Sequence, residues 1–113
     1  MGFDTTVRDD AAARRRRERE RLRLQALKAV ERALAVHGEA LGIDYAYICG
    51  SVVRPGRFRE DSDIDVAAPV SNPIEASCRL THAAGREVHV IALDGSRAAR
   101  RAEREGVRWN RPI

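Results

Sequence analysis

Hydrophobic residues recur at helical spacing in the first third of the chain. The apolar positions are three, four or seven residues apart: Leu24, Leu27, Val30, Leu34 and Leu41. This spacing is typical of a helix that packs one side against a core. It predicts one long, charged helix from about residue 10 to residue 37, closed by Gly38 and Gly42. Residues 1–9 are predicted to form a frayed terminus.

The start of this helix lacks the apolar stripe. Residues 14–21 read RRRRERER, a run in which basic and acidic side chains surround the helix on all sides. The pattern predicts a solvated helical arm at residues 1–21, followed by a folded domain at residues 22–113. An arginine-rich contact surface for a partner or RNA is the alternative for this segment.

Three later segments, residues 44–50, 63–70 and 86–93, read as β-strands because they are short and rich in β-branched or alternating apolar residues. Since successive side chains of a strand point to opposite faces, the second and third strands each present a largely polar face. Its members are Asp63, Asp65 and Ala67 in one strand, and Glu87, His89 and Ile91 in the other. The opposite faces are apolar and are expected to pack against helices.

Two further helices complete the predicted domain. Asn72 and Pro73 provide a cap and a first helical position, and Gly85 provides a stop. The tail from residue 94 reads as a helix that ends at Gly106. We therefore predict an α/β (α+β) domain with a small mixed sheet and helices on one face.

Composition narrows the class of protein. The chain has 113 residues, a net charge of +4 and 43% hydrophobic residues, which suffice for one small core. Basic residues favour anionic partners, but 17 acidic residues accompany 21 basic ones, so we expect no direct nucleic-acid binding. Cys49 and Cys78 do not form a disulfide framework, and no segment has the length of a membrane span. A cytoplasmic protein without membrane association is expected; its oligomeric state is left open.

Most of the residues that could bind a ligand or take part in catalysis lie between residues 49 and 65. A Gly50-Ser51 turn after an apolar strand can hold a phosphate with backbone N–H groups. Asp63 and Asp65 are spaced i, i+2, about 6.6 Å along a strand, and so share a face. Paired carboxylates suit a hard divalent cation that carries a nucleoside triphosphate. The segment therefore predicts phosphoryl or nucleotidyl transfer.

This arrangement resembles the nucleotidyltransferase superfamily of DNA polymerase β. The resemblance is to its short members, the minimal nucleotidyltransferases (MNT) that act as antitoxins beside HEPN-domain toxins. Two groups of residues match the family pattern, and their spacing makes the match fairly specific: Gly50, Ser51 and Arg54 in the first, and Ser62, Asp63, Ile64 and Asp65 in the second. The predicted element order also fits, as does a closing EGVRW segment, so that the resemblance covers residues 22–110.

The resemblance implies a polymerase β-like fold and Mg²⁺-dependent transfer of AMP from ATP to a tyrosine of a HEPN-type toxin. It assigns Asp63 and Asp65 to metal binding and catalysis. It assigns the nucleotide to four positions: Gly50, Ser51, Arg54 and Ser62.

One position departs from the family pattern. The third strand of the family normally carries a third carboxylate, and the aligned residue here is His89, with Glu87 one pleat earlier on the same face. Glu87 could stand in for the missing carboxylate, and either side chain could assist deprotonation of the acceptor. The departure leaves two alternatives open: a catalytically weak or inactive relative that neutralises its partner by binding, and a part of an antibiotic- or tRNA-modifying nucleotidyltransferase.

Overall fold

The structure is a computed structural model that describes residues 6–112 of the chain. Its helices and strands are, in chain order, α1 (Thr6–His37), β1 (Tyr45–Cys49), β2 (Ile64–Ala68), α2 (Pro73–Ala84), β3 (Val88–Ala92), α3 (Arg97–Glu105) and β4 (Val107–Asn110). A short 3-10 turn, Ser51–Val53, follows β1. The predicted order of elements is confirmed.

Helix α1 begins earlier than predicted. Residues 6–9, which were expected to be frayed, belong to α1, and the rest of the predicted frayed segment lies outside the described residues. The side chains of residues 14–19 are exposed, and Arg21 forms an ion pair with Glu18 one turn away. These contacts fit a solvated arm, while a contact surface for a partner stays a prediction. No helix within residues 6–112 is both long and apolar enough to cross a membrane.

The four strands form one mixed sheet in the order β3-β2-β1-β4. Strand β1 runs antiparallel to β2 and β4, whereas β2 and β3 are parallel. In this register Asp65 lies opposite Cys49 on one side and opposite His89 on the other. These three side chains therefore share a face of the sheet, which we call the front face.

The back face holds the main core. The predicted apolar alternation is confirmed there, because Ile64, Val66 and Ala68 are fully buried. They belong to one cluster with residues of α1 and α2, including Val30, Leu34 and Leu80. The apolar stripe of α1 is shorter than its sequence pattern, since the side chain of Leu24 is 44% exposed.

Helix α3 lies against the front face, so the prediction that the helices share one face is wrong. Ala102 of α3 packs with Cys49 and Ala67 in a second, smaller cluster. Ala99 is fully buried on the same helix. Small side chains on both surfaces let the helix approach the sheet closely. Because α3 covers only part of the front face, a groove is left beside it.

Candidate functional site

The turn after β1 brings the two halves of the motif together. Gly50 adopts φ 84° and ψ −157°, a backbone region that is essentially restricted to glycine. A Cβ atom on Gly50 would lie 2.6 Å from Oδ2 of Asp65. The absent side chain thus allows the backbone of the turn to lie directly against this carboxylate. Buried Val52 anchors the 3-10 turn that follows.

A groove of about 940 Å³ opens at this turn. One wall comes from the end of β1, the turn and β2, and the other from α3. The polar and charged residues that line it are Ser51, Arg54, Arg57, Asp65, Arg97, Arg101 and Glu105. Apolar contacts come from Ile91, Ala98 and Ala102. The predicted residues Gly50, Ser51, Arg54 and Asp65 are therefore assembled in one cavity.

Asp65 is the carboxylate at the base of the groove. Its side chain is 38% exposed. Burial raises the pKa of Asp65 above its usual value; His89 opposes this shift and the charge of Asp63 adds to it. A carboxylate that is charged in such surroundings is stabilised by a nearby cation. This position therefore favours a metal ion or a guanidinium group as a partner.

His89 stands beside Asp65 on the neighbouring strand. Its Nδ1 atom is 3.8 Å from Oδ1 of Asp65, and its side chain is 67% exposed. The imidazole is thus within reach of a ligand that occupies the front face.

Asp63 occupies a different position from Asp65. It precedes the first residue of β2, is exposed, and lines a separate depression of about 400 Å³ together with Ser62 and Glu87. The hydroxyl oxygen of Ser62 accepts a hydrogen bond from the backbone N–H of Arg59 at 2.9 Å. Four predicted residues, Ser62, Asp63, Glu87 and His89, are outside the groove lining found in residues 6–112. Their predicted roles stay predictions.

The described part of the chain, residues 6–112, contains no cluster of three or more carboxylate, imidazole or thiolate groups placed to hold a metal ion together. Mg²⁺ is, however, commonly bound through one or two carboxylates, with waters and substrate phosphates completing its coordination. Asp65, as one carboxylate that lines the groove, fits this minimal arrangement. The donor set does not fit a metal cage made entirely of protein groups.

Two arginines of α3 were missed by the sequence reasoning. Arg97 and Arg101 are four residues apart and line the groove on the same side of the helix. Their i, i+4 spacing was visible in the sequence, and so were Ala98 and Ala102 beside them. These signals become informative only when α3 is known to cover the front face. Together with Arg54 and Arg57, they give the groove the positive charge that a polyphosphate requires.

Cys49 lines this groove, and the burial of its thiol can be tested by chemical labelling. We expect a thiol reagent at pH 8 to label exposed Cys78 rapidly and Cys49 slowly. Burial, with a smaller effect from the Asp65 carboxylate, raises the pKa of Cys49 to about 11. Only about one Cys49 thiol in a thousand is then ionised at pH 8. Cys78→Ser should remove the rapid phase, and rapid labelling that persists in this variant would contradict the described surroundings of Cys49.

Comparison of the chain with protein-family models, with curated proteins and with solved structures finds no match.

Proposed function

We propose that the chain is a Mg²⁺-dependent nucleotidyltransferase antitoxin that transfers AMP from ATP to a partner toxin of the HEPN type. The observation that carries the proposal is the contact between the Gly50 backbone and the Asp65 carboxylate at the base of a groove lined by arginines. The proposal assigns phosphate binding to this turn and metal binding to the neighbouring carboxylate. The identity of the partner rests on the sequence resemblance.

The reaction needs positioning and charge neutralisation more than covalent chemistry. A hydroxyl oxygen of the partner attacks the α-phosphorus of ATP and loses its proton. The bond from that phosphorus to the bridging oxygen of the β-phosphate breaks, and pyrophosphate leaves. When bound, Mg²⁺ would neutralise part of the charge on the triphosphate.

The residues of the groove divide these tasks. Backbone N–H groups after Gly50 and the hydroxyl of Ser51 hold terminal phosphates, while Arg54 adds a charged donor. Asp65 holds the cation, while Asp63 lines the neighbouring depression and acts only through its charge. The assignment gives a pH dependence: because the pKa of Asp65 is raised, metal binding should weaken as the pH falls toward that pKa.

His89 is the better placed of the two candidate proton acceptors. It neighbours Asp65 on the front face, 3.8 Å away between Nδ1 and Oδ1. Glu87 lines the other depression. We therefore assign deprotonation of the acceptor to His89 and propose no direct role for Glu87 in the groove.

A second function, neutralisation of the partner by binding alone, is favoured by two observations. Residues 6–112 hold no three-ligand metal cluster, and the position of the family's third carboxylate is occupied by His89. In this alternative the groove binds nucleotide without efficient turnover, and the exposed arginines of α1 provide the contact surface.

The two functions differ in the fate of the α-phosphate. We expect ATP labelled at the α-phosphate to label a purified HEPN-domain protein in the presence of Mg²⁺, and ATP labelled at the γ-phosphate to leave it unlabelled. Release of pyrophosphate should match the label transferred. A stable complex with the partner and no transfer of either label would support binding alone and contradict the enzyme.

A further inference from the structure

A single carboxylate in the groove is shared by two arginines on opposite walls. Oε2 of Glu105 lies 3.0 Å from Nη2 of Arg54, which follows the 3-10 turn. The same oxygen lies 3.1 Å from Nε of Arg101, one turn earlier on α3. All three side chains line the groove. Glu105 thus connects the phosphate-binding turn to α3 across the cavity.

The stability of α3 does not explain why residue 105 is acidic. Glu105 is the last residue of α3, where the negative end of the helix dipole disfavours a carboxylate. A basic residue four positions before an acidic one is also the weaker order for a helical ion pair. The interaction that favours Glu105 here is therefore the positive charge of the groove. The Glu105 carboxylate therefore lies where the surrounding arginines favour an anion.

We propose that Glu105 is an internal counter-ion that pairs with Arg54 and Arg101 while the groove is empty and is replaced by the triphosphate of a bound nucleotide. The identity of that ligand as a nucleotide rests on the function proposed above. Carboxylate and phosphate oxygens both accept hydrogen bonds from guanidinium groups. A triphosphate carries more negative charge and more acceptor oxygens than one carboxylate, so it is the stronger partner.

The exposure of these side chains allows such an exchange. Side-chain exposure is 51% for Arg54, 67% for Arg101 and 41% for Glu105. Ion pairs in contact with water are individually weak, and no backbone rearrangement is needed to release Glu105. The replaced carboxylate can turn toward solvent at the end of α3. The groove would then present four arginines, Arg54, Arg57, Arg97 and Arg101, with Asp65 as its remaining lining carboxylate among the described residues.

Binding of inorganic tripolyphosphate, measured by calorimetry, tests the proposal without requiring catalysis. We expect Glu105→Gln to bind tripolyphosphate and Mg²⁺-ATP about threefold to tenfold more tightly than the wild type, because the competing anion is removed. Glu103→Gln is the matched control: it makes the same change of charge on the same helix, at an exposed residue outside the groove lining. This control should bind like the wild type.

A second pair of variants tests the role of Arg101. Arg101→Gln should weaken tripolyphosphate binding, while Arg100→Gln, an exposed neighbour outside the groove lining, should not. The gain from Glu105→Gln should shrink in the Arg101→Gln background, because the two residues act on each other. Circular dichroism spectra should match across the variants.

The outcomes separate this proposal from the function proposed above. Unchanged or weaker binding by Glu105→Gln overturns the counter-ion role, even where AMP transfer is observed. Tighter binding without any AMP transfer upholds the counter-ion role and overturns the enzyme. If tripolyphosphate binds to none of the proteins, the groove is not a phosphate site and the counter-ion role is overturned as well.

Discussion

Asp65→Asn is expected to abolish AMP transfer and, at the same time, to stabilise the fold slightly. Transfer should fall at least about 100-fold, because metal-ion catalysis contributes several kcal/mol and about 1.4 kcal/mol corresponds to a factor of ten in rate. The substitution removes the charge of the proposed metal ligand and preserves the shape of its side chain. Initial rates with ATP labelled at the α-phosphate provide the measurement.

The gain in stability follows from the sign of the pKa shift. Burial raises the pKa of Asp65 in the folded state, so the charged carboxylate disfavours folding at neutral pH, and this penalty disappears as the pH falls below the folded-state pKa. Asparagine carries no charge at any of these pH values. We expect the free energy of unfolding at pH 7 to rise by less than about 1 kcal/mol, because the side chain retains contact with water.

Asp61→Asn is the control for this experiment. Asp61 is exposed, lies four residues earlier in the chain and does not line the groove. The Asp61→Asn substitution should leave both the transfer rate and the melting temperature unchanged. Transfer by Asp65→Asn at the rate of the control would contradict the assigned role of Asp65. A clear loss of stability in this variant would instead indicate that the native carboxylate is favourably paired.

Gly50→Ala is expected to reduce both stability and nucleotide binding. A non-glycine residue at φ 84° and ψ −157° carries about 1–3 kcal/mol of backbone strain. The new Cβ atom would also lie 2.6 Å from Oδ2 of Asp65. Rotation of the Asp65 side chain can relieve that contact, but it moves the carboxylate away from its position in the groove. Chemical denaturation and ATP titration measure the two effects separately.

Gly56→Ala separates strain from contact. Gly56 also has a positive φ of 80°, but a Cβ atom there would meet nothing within 4 Å. This control should lose about 1–2 kcal/mol of stability, as expected for an alanine in a left-handed conformation, and bind ATP normally. If Gly50→Ala lost stability and still bound ATP as tightly as Gly56→Ala, the contact between the turn and Asp65 would have no part in binding.

Much of the fold could be predicted because its local signals are strong. Asn72 caps α2 by accepting a hydrogen bond from the backbone N–H of Glu75 at 3.1 Å, and Gly85 ends the helix in a left-handed conformation. The alternation in residues 63–70 correctly separates the buried back of β2 from its front. Both predictions depend on interactions within a few residues of one another, which sequence patterns capture well.

The position of α3 could not be predicted from its own residues. The helix is rich in arginine, and its buried side chains are two alanines, Ala99 and Ala102, which do not produce a conspicuous apolar stripe. The polar alternation of β2 and β3 also suggested an uncovered front face. Packing of small residues against Cys49 and Ala67 is a long-range match that depends on the register of the sheet.

The candidate site could be predicted only in part, because its geometry depends on where strand β2 begins. The sequence places Asp63 and Asp65 on one face, which holds for a continuous strand. Strand β2 begins at Ile64, so Asp63 lies before the pleated region and faces the neighbouring depression. A shift of one residue in the start of a strand is below the accuracy of sequence patterns. The two arginines of α3 were missed for a different reason, because their role depends on the position of α3 over the front face.

Titration of the chain with ATP, in the presence and absence of Mg²⁺, probes the groove without a partner protein. We expect saturable binding that depends on Mg²⁺, is lost in Asp65→Asn and is retained in Asp61→Asn. Absence of ATP binding to the wild-type chain in both conditions, or equal binding by Asp65→Asn, would contradict a metal–nucleotide site formed by Gly50 and Asp65.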